Sequence, residues 1–251
     1  MVKVILVSDS AILSKKIGIK LISKGYYANH IFSSHLVNQN FENFVSSILK
    51  DAQIIVFDHE STRKTLDTDK VREIIEKISK ISKNLIFISS EKDLSIIKSW
   101  SLMGLKGIVD SSLNSDDLSE KVYEVIFSIP ISDNDKRKHY RVKVPNGSTA
   151  KIFVNQDITL LGSIFDVSAG GVSVVFKSDE ETNSLISNKP YSSQLDFEGI
   201  SISAKLFLVR REEALCGFRF FNLDDRQLVT LSEYIYHRII EDTYNDTLIS
   251  K

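Results

Sequence analysis

The sequence predicts two domains, an N-terminal α/β domain built on a doubly wound parallel sheet and a C-terminal antiparallel β-barrel closed by a helix. Three observations carry that expectation. The 251 residues exceed one ordinary core and suit two domains of about 100–200 residues each. Up to residue 130, short apolar runs alternate with helical periodicity, the pattern of βαβ units. Beyond residue 140, β-rich stretches follow one another at short spacing, broken by Gly, Asn, Asp and Pro. The three prolines, Pro130, Pro145 and Pro190, leave the first 129 residues free of proline, so they can hold continuous strands and helices. Turn-forming residues gather in Ser128–Asp135. The expected division is therefore 1–128 for the α/β domain, 129–141 for a linker and 142–245 for the barrel and its helix.

In the first domain the runs Val2–Val7, Ile54–Phe57, Leu85–Ile88 and Leu105–Val109 read as buried strands, with a weaker one near Asn29–Phe32. Leu13, Ile17 and Leu21 mark one helix face, and Val71, Ile74, Ile75 and Ile78 a second. Leu94–Leu102 forms a third helix, and Leu118, Val122, Val125 and Ile126 a fourth. In the second domain the strand-rich stretches are Ala150–Val154, Ile158–Phe165, Val172–Phe176, Gln194–Phe197, Ile200–Arg210 and Leu215–Phe221. Leu228, Leu231, Ile235 and Ile239 form one stripe of a closing helix, with Asp224 as its cap.

Composition removes several function classes. Lys+Arg number 32 against 33 Asp+Glu, so bulk charge does not suit coating of nucleic acid or an anionic bilayer. Cys216 is the single cysteine and implies no disulfide framework. The five histidines are scattered without metal-ligand spacing. No apolar run approaches the roughly 18–20 residues of a spanning helix, and the N-terminus lacks a signal-peptide pattern. A cytoplasmic protein without cofactor, resident metal or membrane insertion is expected. No nucleophile–base pair or Walker-type loop appears, which argues against an enzyme.

Parallel strands of this kind present their functional groups at the carboxyl ends. Here those ends carry Ser8-Asp9-Ser10, Asp58 and Ser89-Ser90. Two carboxylates and a hydroxyl at one rim suit Mg²⁺ and a phosphoryl group. This arrangement resembles the receiver domain of response regulators over essentially all of residues 1–127, with Asp58 at the phosphoacceptor position, Asp9 in the acidic pair and Ser89 at the hydroxyl position. The chain departs from the receiver pattern twice. Ser8 stands where a second acid is usual, and Asp110 where receivers keep a lysine. A carboxylate in place of that lysine opposes a phosphoryl charge. The expectation is a receiver-like scaffold that is not phosphorylated and that serves partner binding or homodimer formation. The alternative keeps Asp58 as a phosphorylation switch, with the barrel as an interaction module.

The second domain opens with Lys136-Arg137-Lys138-His139-Tyr140-Arg141-Val142-Lys143, five cations in eight residues with no acid. Two arginines at i and i+4 can converge on one anion, and guanidinium forks match phosphate oxygens or a guanine Hoogsteen edge. Downstream, Asp166-Val167-Ser168-Ala169-Gly170-Gly171 joins two apolar strands. Asp166 can accept from guanine N1–H and N2–H, and Ser168 can donate or accept. Gly170 and Gly171 would permit positive φ and close approach of a ligand.

Arg-x-x-x-Arg followed by Asp-x-Ser-x-x-Gly resembles the PilZ domain, a bacterial receptor module for cyclic di-GMP. Arg137 and Arg141 fill the first motif, and Asp166, Ser168 and Gly171 the second. The resemblance covers about residues 136–240 and includes Gly217-Phe218-Arg219-Phe220 as the closing strand. It implies that the dinucleotide sits outside the barrel against the second motif and that the arginine segment, mobile without ligand, folds over it. Because that segment is the linker, ordering it would reorient the receiver-like domain toward a protein partner. The resemblance also ties a basic residue at Lys136 to a stacked ligand pair. Tyr140, between the two arginines, can stack on a guanine or pack at the barrel entrance.

Charge supports a small ligand over a large one. Residues 131–251 hold 15 Lys+Arg against 17 Asp+Glu, and without the five cations of 136–143 the balance is 10 against 17. Positive charge is therefore concentrated at the one segment expected to close on an anion, and nucleic acid is not an expected partner.

Overall fold

A computed structural model describes residues 1–131 and 138–249, with side chains through Asn245. These residues divide into two compact units, the first comprising Met1–Lys138 together with Tyr236–Lys251, the second His139–Ile235.

The first unit runs β1 (Lys3–Val7), α1 (Ala11–Ser23), β2 (Tyr27–Ile31), α2 (Ser33–Leu36), a 3₁₀ turn (Gln39–Phe41), α3 (Glu42–Leu49), β3 (Ile54–Asp58), α4 (His59–Thr65), α5 (Thr68–Ile81), β4 (Leu85–Ile88), α6 (Leu94–Leu102), β5 (Leu105–Val109) and α7 (Ser115–Ser128). The sheet is parallel throughout, in the order β2-β1-β3-β4-β5, one of the two common doubly wound orders. Successive residues of a strand face opposite ways. Ile5, Val7, Ile55, Phe57, Leu85 and Phe87 accordingly join one core cluster with Val45, Ile48 and Leu49 of α3, Val71, Ile74, Ile75 and Ile78 of α5, and Trp100 of α6. Val4, Leu6, Ile54, Val56, Ile86 and Ile88 are also buried, and by that alternation they occupy the other face. Burial on both faces explains why the strands read as unbroken apolar runs. Each such side chain contributes roughly 1.5–3 kcal/mol.

Sequence periodicity did not anticipate α2, α3 or α4. The first is too short to show a period. The third, HESTRKT, has no apolar face and begins only because the Asp58 side chain accepts from the Ser61 N–H as its N-cap.

The second unit runs β6 (Val142–Lys143), β7 (Thr149–Phe153), β8 (Thr159–Ser168), β9 (Gly171–Val175), α8 (Asp179–Thr182), β10 (Pro190–Phe197), β11 (Ile200–Glu212) and β12 (Leu215–Phe221) before entering α9 (Asp225–Ile249). The antiparallel order is β6-β8-β7-β10-β11-β12-β9, and a β8–β9 pairing closes the ring. Closure depends on the length of β8. Its first half pairs with β7 from Thr159 to Ser163, and its second half with β9 from Ser163 to Ser168. Ala150, Ile152, Val167, Val172, Val174, Leu195, Ile202, Leu206 and Phe218 are buried from alternate strand positions. Glu198 and Gly199, at φ 45° and 80°, make the two-residue turn joining β10 to β11 with the left-handed backbone that such turns favour.

Asp224 caps α9 reciprocally. Its carboxylate accepts from the Gln227 N–H at 2.7 Å while the Gln227 side chain accepts from the Asp224 N–H at 3.2 Å. The sequence assigns the whole helix to the barrel, yet its residues from Tyr236 onward belong to the first unit. There the Tyr236 ring lies against Gly18, where a Cβ would approach its Cε2 to 2.2 Å. Asn29 Nδ2 donates to Thr243 Oγ1 at 2.8 Å, and the Tyr244 and Phe44 ring centroids are 5.1 Å apart.

Candidate functional site

The β8–β9 hairpin is symmetric about the Ala169-Gly170 turn, with Ser168 opposite Gly171, Val167 opposite Val172 and Asp166 opposite Ser173. Val167 and Val172 are fully buried, so Asp166 and Ser173 share the outer face. Arg141 Nη1 donates to Asp166 Oδ1 and to Ser173 Oγ, each at 2.6 Å. One guanidinium is thereby fixed over both strands while its side chain stays 32 % exposed. A charge-assisted pair at such a half-open position orients more than it stabilises.

The two glycines act differently from the sequence expectation. Neither Gly170 nor Gly171 adopts a left-handed φ. Both are needed for close approach within the protein itself. A Cβ on Gly171 would sit 2.1 Å from the Phe218 carbonyl oxygen of β12, and one on Gly170 would sit 2.4 Å from His139 Cδ2. The Gly170 carbonyl accepts from the Phe220 N–H at 3.1 Å. Ser168, 2 % exposed, turns its hydroxyl back to the Gly171 carbonyl at 3.2 Å, so in this state it braces the turn.

Arg141, Asp166, Ser168, Gly170 and Gly171 are thus brought together, while Lys136 and Arg137 lie outside the described residues. Ser173 was not singled out from the sequence. The signal existed, because counting outward from the two-residue turn pairs residue 173 with Asp166.

At the carboxyl ends of the parallel strands, Asp58 is 3 % exposed, with Oδ1 accepting from the Ser61 N–H at 3.0 Å and Oδ2 from the Ser8 hydroxyl at 2.7 Å. Asp9 accepts from the Ser33 N–H at 3.1 Å and from the hydroxyls of Ser33 and Thr65. Both carboxylates border a concavity of about 390 Å³ that Lys64 also lines. Ser89 binds His59 Nδ1 at 2.9 Å, and burial pushes the His59 pKa down. Asp110 accepts from the Ser112 N–H at 2.8 Å at the exposed end of β5. The acids meet at one rim, but each is held by protein hydroxyls and amides. Among the described residues, no group of three or more His, Cys, Asp or Glu side chains is placed to hold a metal ion.

The arginine-bearing strand and the Asp-x-Ser-x-x-Gly hairpin fall inside residues 135–237, which match the family model for the PilZ domain. This segment of the chain is a PilZ domain. The PilZ match is accompanied by likenesses to solved structures at low identity. One is Escherichia coli YcgR in complex with c-di-GMP, at 16% identity and a TM-score of 0.39, covering 46% of this chain and 51% of that one. The match therefore spans about half the length of YcgR. Another is a response regulator from Thermotoga maritima, at 18% identity and a TM-score of 0.37, covering 51% of this chain and 99% of that one. A pilus assembly protein, cpaE, from Burkholderia thailandensis is similar at 15% identity and a TM-score of 0.35, over 51% of this chain and all of that one. No curated protein matches the chain. Among the described residues, no helix is long and apolar enough to cross a membrane.

Proposed function

We propose that the protein is a non-enzymatic cytoplasmic receptor for cyclic di-GMP. The observation that carries this reading is the Arg141 guanidinium, held at 2.6 Å by Asp166 and Ser173 on the outer face of the PilZ hairpin. A doubly anionic dinucleotide would exchange its phosphate and guanine edges for those protein partners. Arg137 would supply the second fork, Lys136 a further cation, and Ser168, Gly170 and Gly171 the turn against which the ligand rests. Ligand held by this arginine segment would report occupancy to a protein partner through the receiver-like unit or the barrel.

The receiver-like unit then serves as scaffold and docking surface rather than as a phosphorylation switch. Supporting this, Asp58 is buried, spends both oxygens on Ser8 and Ser61, and has Asp110 where a phosphoryl charge would need a cation.

Calorimetric titration of cyclic di-GMP into the full chain tests the reading, with Arg137→Ala, Arg141→Ala and Asp166→Ala alongside. Micromolar binding by the wild type that all three variants weaken is expected. Absence of heat with the wild type would overturn the function, and variants that bind like the wild type would overturn the site.

A further inference from the structure

Two β-bulges mark the outer face of the PilZ barrel, and they stand at opposite ends of a single cross-strand row. On β8 the register steps from Ile164, opposite Val174, to Asp166, opposite Ser173. Phe165 is the extra residue, and the step turns Asp166 outward. On β11 the register steps from Leu208, opposite Phe218, to Arg210, opposite Gly217. Leu208 and Phe218 are buried, so regular alternation would send Arg210 inward. The extra residue Val209 turns it outward instead. Bulges of this kind re-aim a side chain and gather next to functional sites.

Between the bulges, Ser173 pairs with Gly217 on the neighbouring strands β9 and β12. The row is therefore Asp166, Ser173, Gly217, Arg210. Arg141 lies over its first two members, and Gly217 places no side chain between Ser173 and Arg210. At 4.7–4.9 Å between neighbouring strands, Asp166 and Arg210 stand about 14 Å apart. That span suits a flat dinucleotide lying with one base at each end and its phosphates between. Arg210 is currently paired with Glu212 at 2.6 Å, both side chains 59% exposed. Such a surface pair is worth less than about 1 kcal/mol and exchanges readily for a ligand.

We propose that Arg210 reads the O6/N7 edge of the second guanine of the bound dinucleotide, at the end of the site opposite Asp166. This rests on the cyclic di-GMP reading above and adds a base-selecting residue to it. A guanidinium fork fits guanine O6 and N7 together, whereas adenine presents a donor in place of O6.

The test compares cyclic di-GMP with 3′,3′-cyclic GMP-AMP, in which one guanine is replaced by adenine, by calorimetry on the full chain. The wild type is expected to prefer cyclic di-GMP by about fivefold or more. Arg210→Ala should lose that much affinity for cyclic di-GMP, keep its affinity for the mixed dinucleotide, and bring the ratio near one. Arg210→Lys, which lacks the fork, should follow the alanine variant. Equal losses on both ligands would make Arg210 a simple charge contact and overturn the inference. Unchanged selectivity in Arg210→Ala would overturn it too, with the receptor reading left standing. A wild type that binds neither dinucleotide would overturn both.

Discussion

Arg141 and Asp166 are 25 residues apart in sequence, and their side chains meet at 2.6 Å on the barrel's outer face, with Ser173 completing the clamp. In the free protein the pair is partly buried, its side chains 32% and 19% exposed, and its loss should lower stability by about 1 kcal/mol. In the proposed cyclic di-GMP complex the same guanidinium would make charge-assisted bonds worth about 1.5–3 kcal/mol. Arg141→Ala is therefore expected to leave the melting temperature within a few degrees and to weaken cyclic di-GMP by at least about tenfold. A large melting shift without loss of affinity would assign Arg141 to folding alone.

The glycines of the turn should separate by the partner each one faces. Gly171→Ala drives a methyl onto a backbone carbonyl at 2.1 Å, which a strand in a closed barrel cannot yield, so destabilisation of about 1–3 kcal/mol is expected. Gly170→Ala meets a side chain, the His139 ring, rather than backbone. Its cost in stability should be smaller, and its effect should appear as weaker ligand binding. Urea denaturation and titration of both variants distinguish these outcomes, and a Gly170→Ala loss as large as that of Gly171→Ala would contradict the assignment.

Asp58 should behave as a structural acid. Asp58→Ala removes the N-cap of α4, at about 0.5–2 kcal/mol, and leaves the Ser8 hydroxyl without its acceptor. Asp58→Asn retains an oxygen for the Ser61 N–H and should cost less. Neither the wild type nor the variants should take up label from acetyl phosphate. Incorporation that vanishes in Asp58→Asn would restore phosphorylation control.

Acid should weaken the receiver-like unit through buried imidazoles. His30 is 5% exposed and its Nε2 lies 2.8 Å from the Ser8 carbonyl oxygen. Burial pushes its pKa below the ordinary 6.5, against the opposing pull of that hydrogen bond and of Asp9, with His35 adding to the depression. Burial lowers His59 and His35 as well. The folded state favours the neutral rings while the unfolded chain protonates near 6.5, so their contribution is complete above that value and is lost as pH falls below it. Unfolding free energy at pH 5.5 should be lower than at pH 7.5, and the difference should shrink in His30→Gln. Equal slopes in wild type and variant would remove His30 from the account.

Much of the fold was readable because burial on two faces makes a strand uniformly apolar, as in Ile54-Ile55-Val56-Phe57 and Leu85-Ile86-Phe87-Ile88. Helix α3 carried a readable face in Phe44, Val45, Ile48 and Leu49 but is only two turns long, too short for its period to stand out. Helix α4 has no such face and owes its start to Asp58. Of the residues proposed for the site, Asp166, Ser168 and the glycines were singled out because they lie in one continuous motif. Ser173 and Arg210 were not, because their outward direction depends on strand register and on two bulges, which no local pattern encodes. The positive φ expected of the two glycines was misread for a related reason. A sequence shows that a Cβ is missing, whereas only the packed neighbours show what the missing atom would have struck.

The closing helix gives the polypeptide an order of assembly. Its last turns, with Tyr236, Thr243 and Tyr244, belong with the strands and helices at the start of the chain, so in chain order the barrel residues fall between the two stretches of the first unit. During synthesis the ribosome must finish the whole barrel before the first unit receives the piece that covers Gly18 and Phe44. A nascent chain halted after residue 235 would carry a complete barrel and an α/β unit with one side left open, a state in which chaperones rather than the protein's own packing would have to shield those residues.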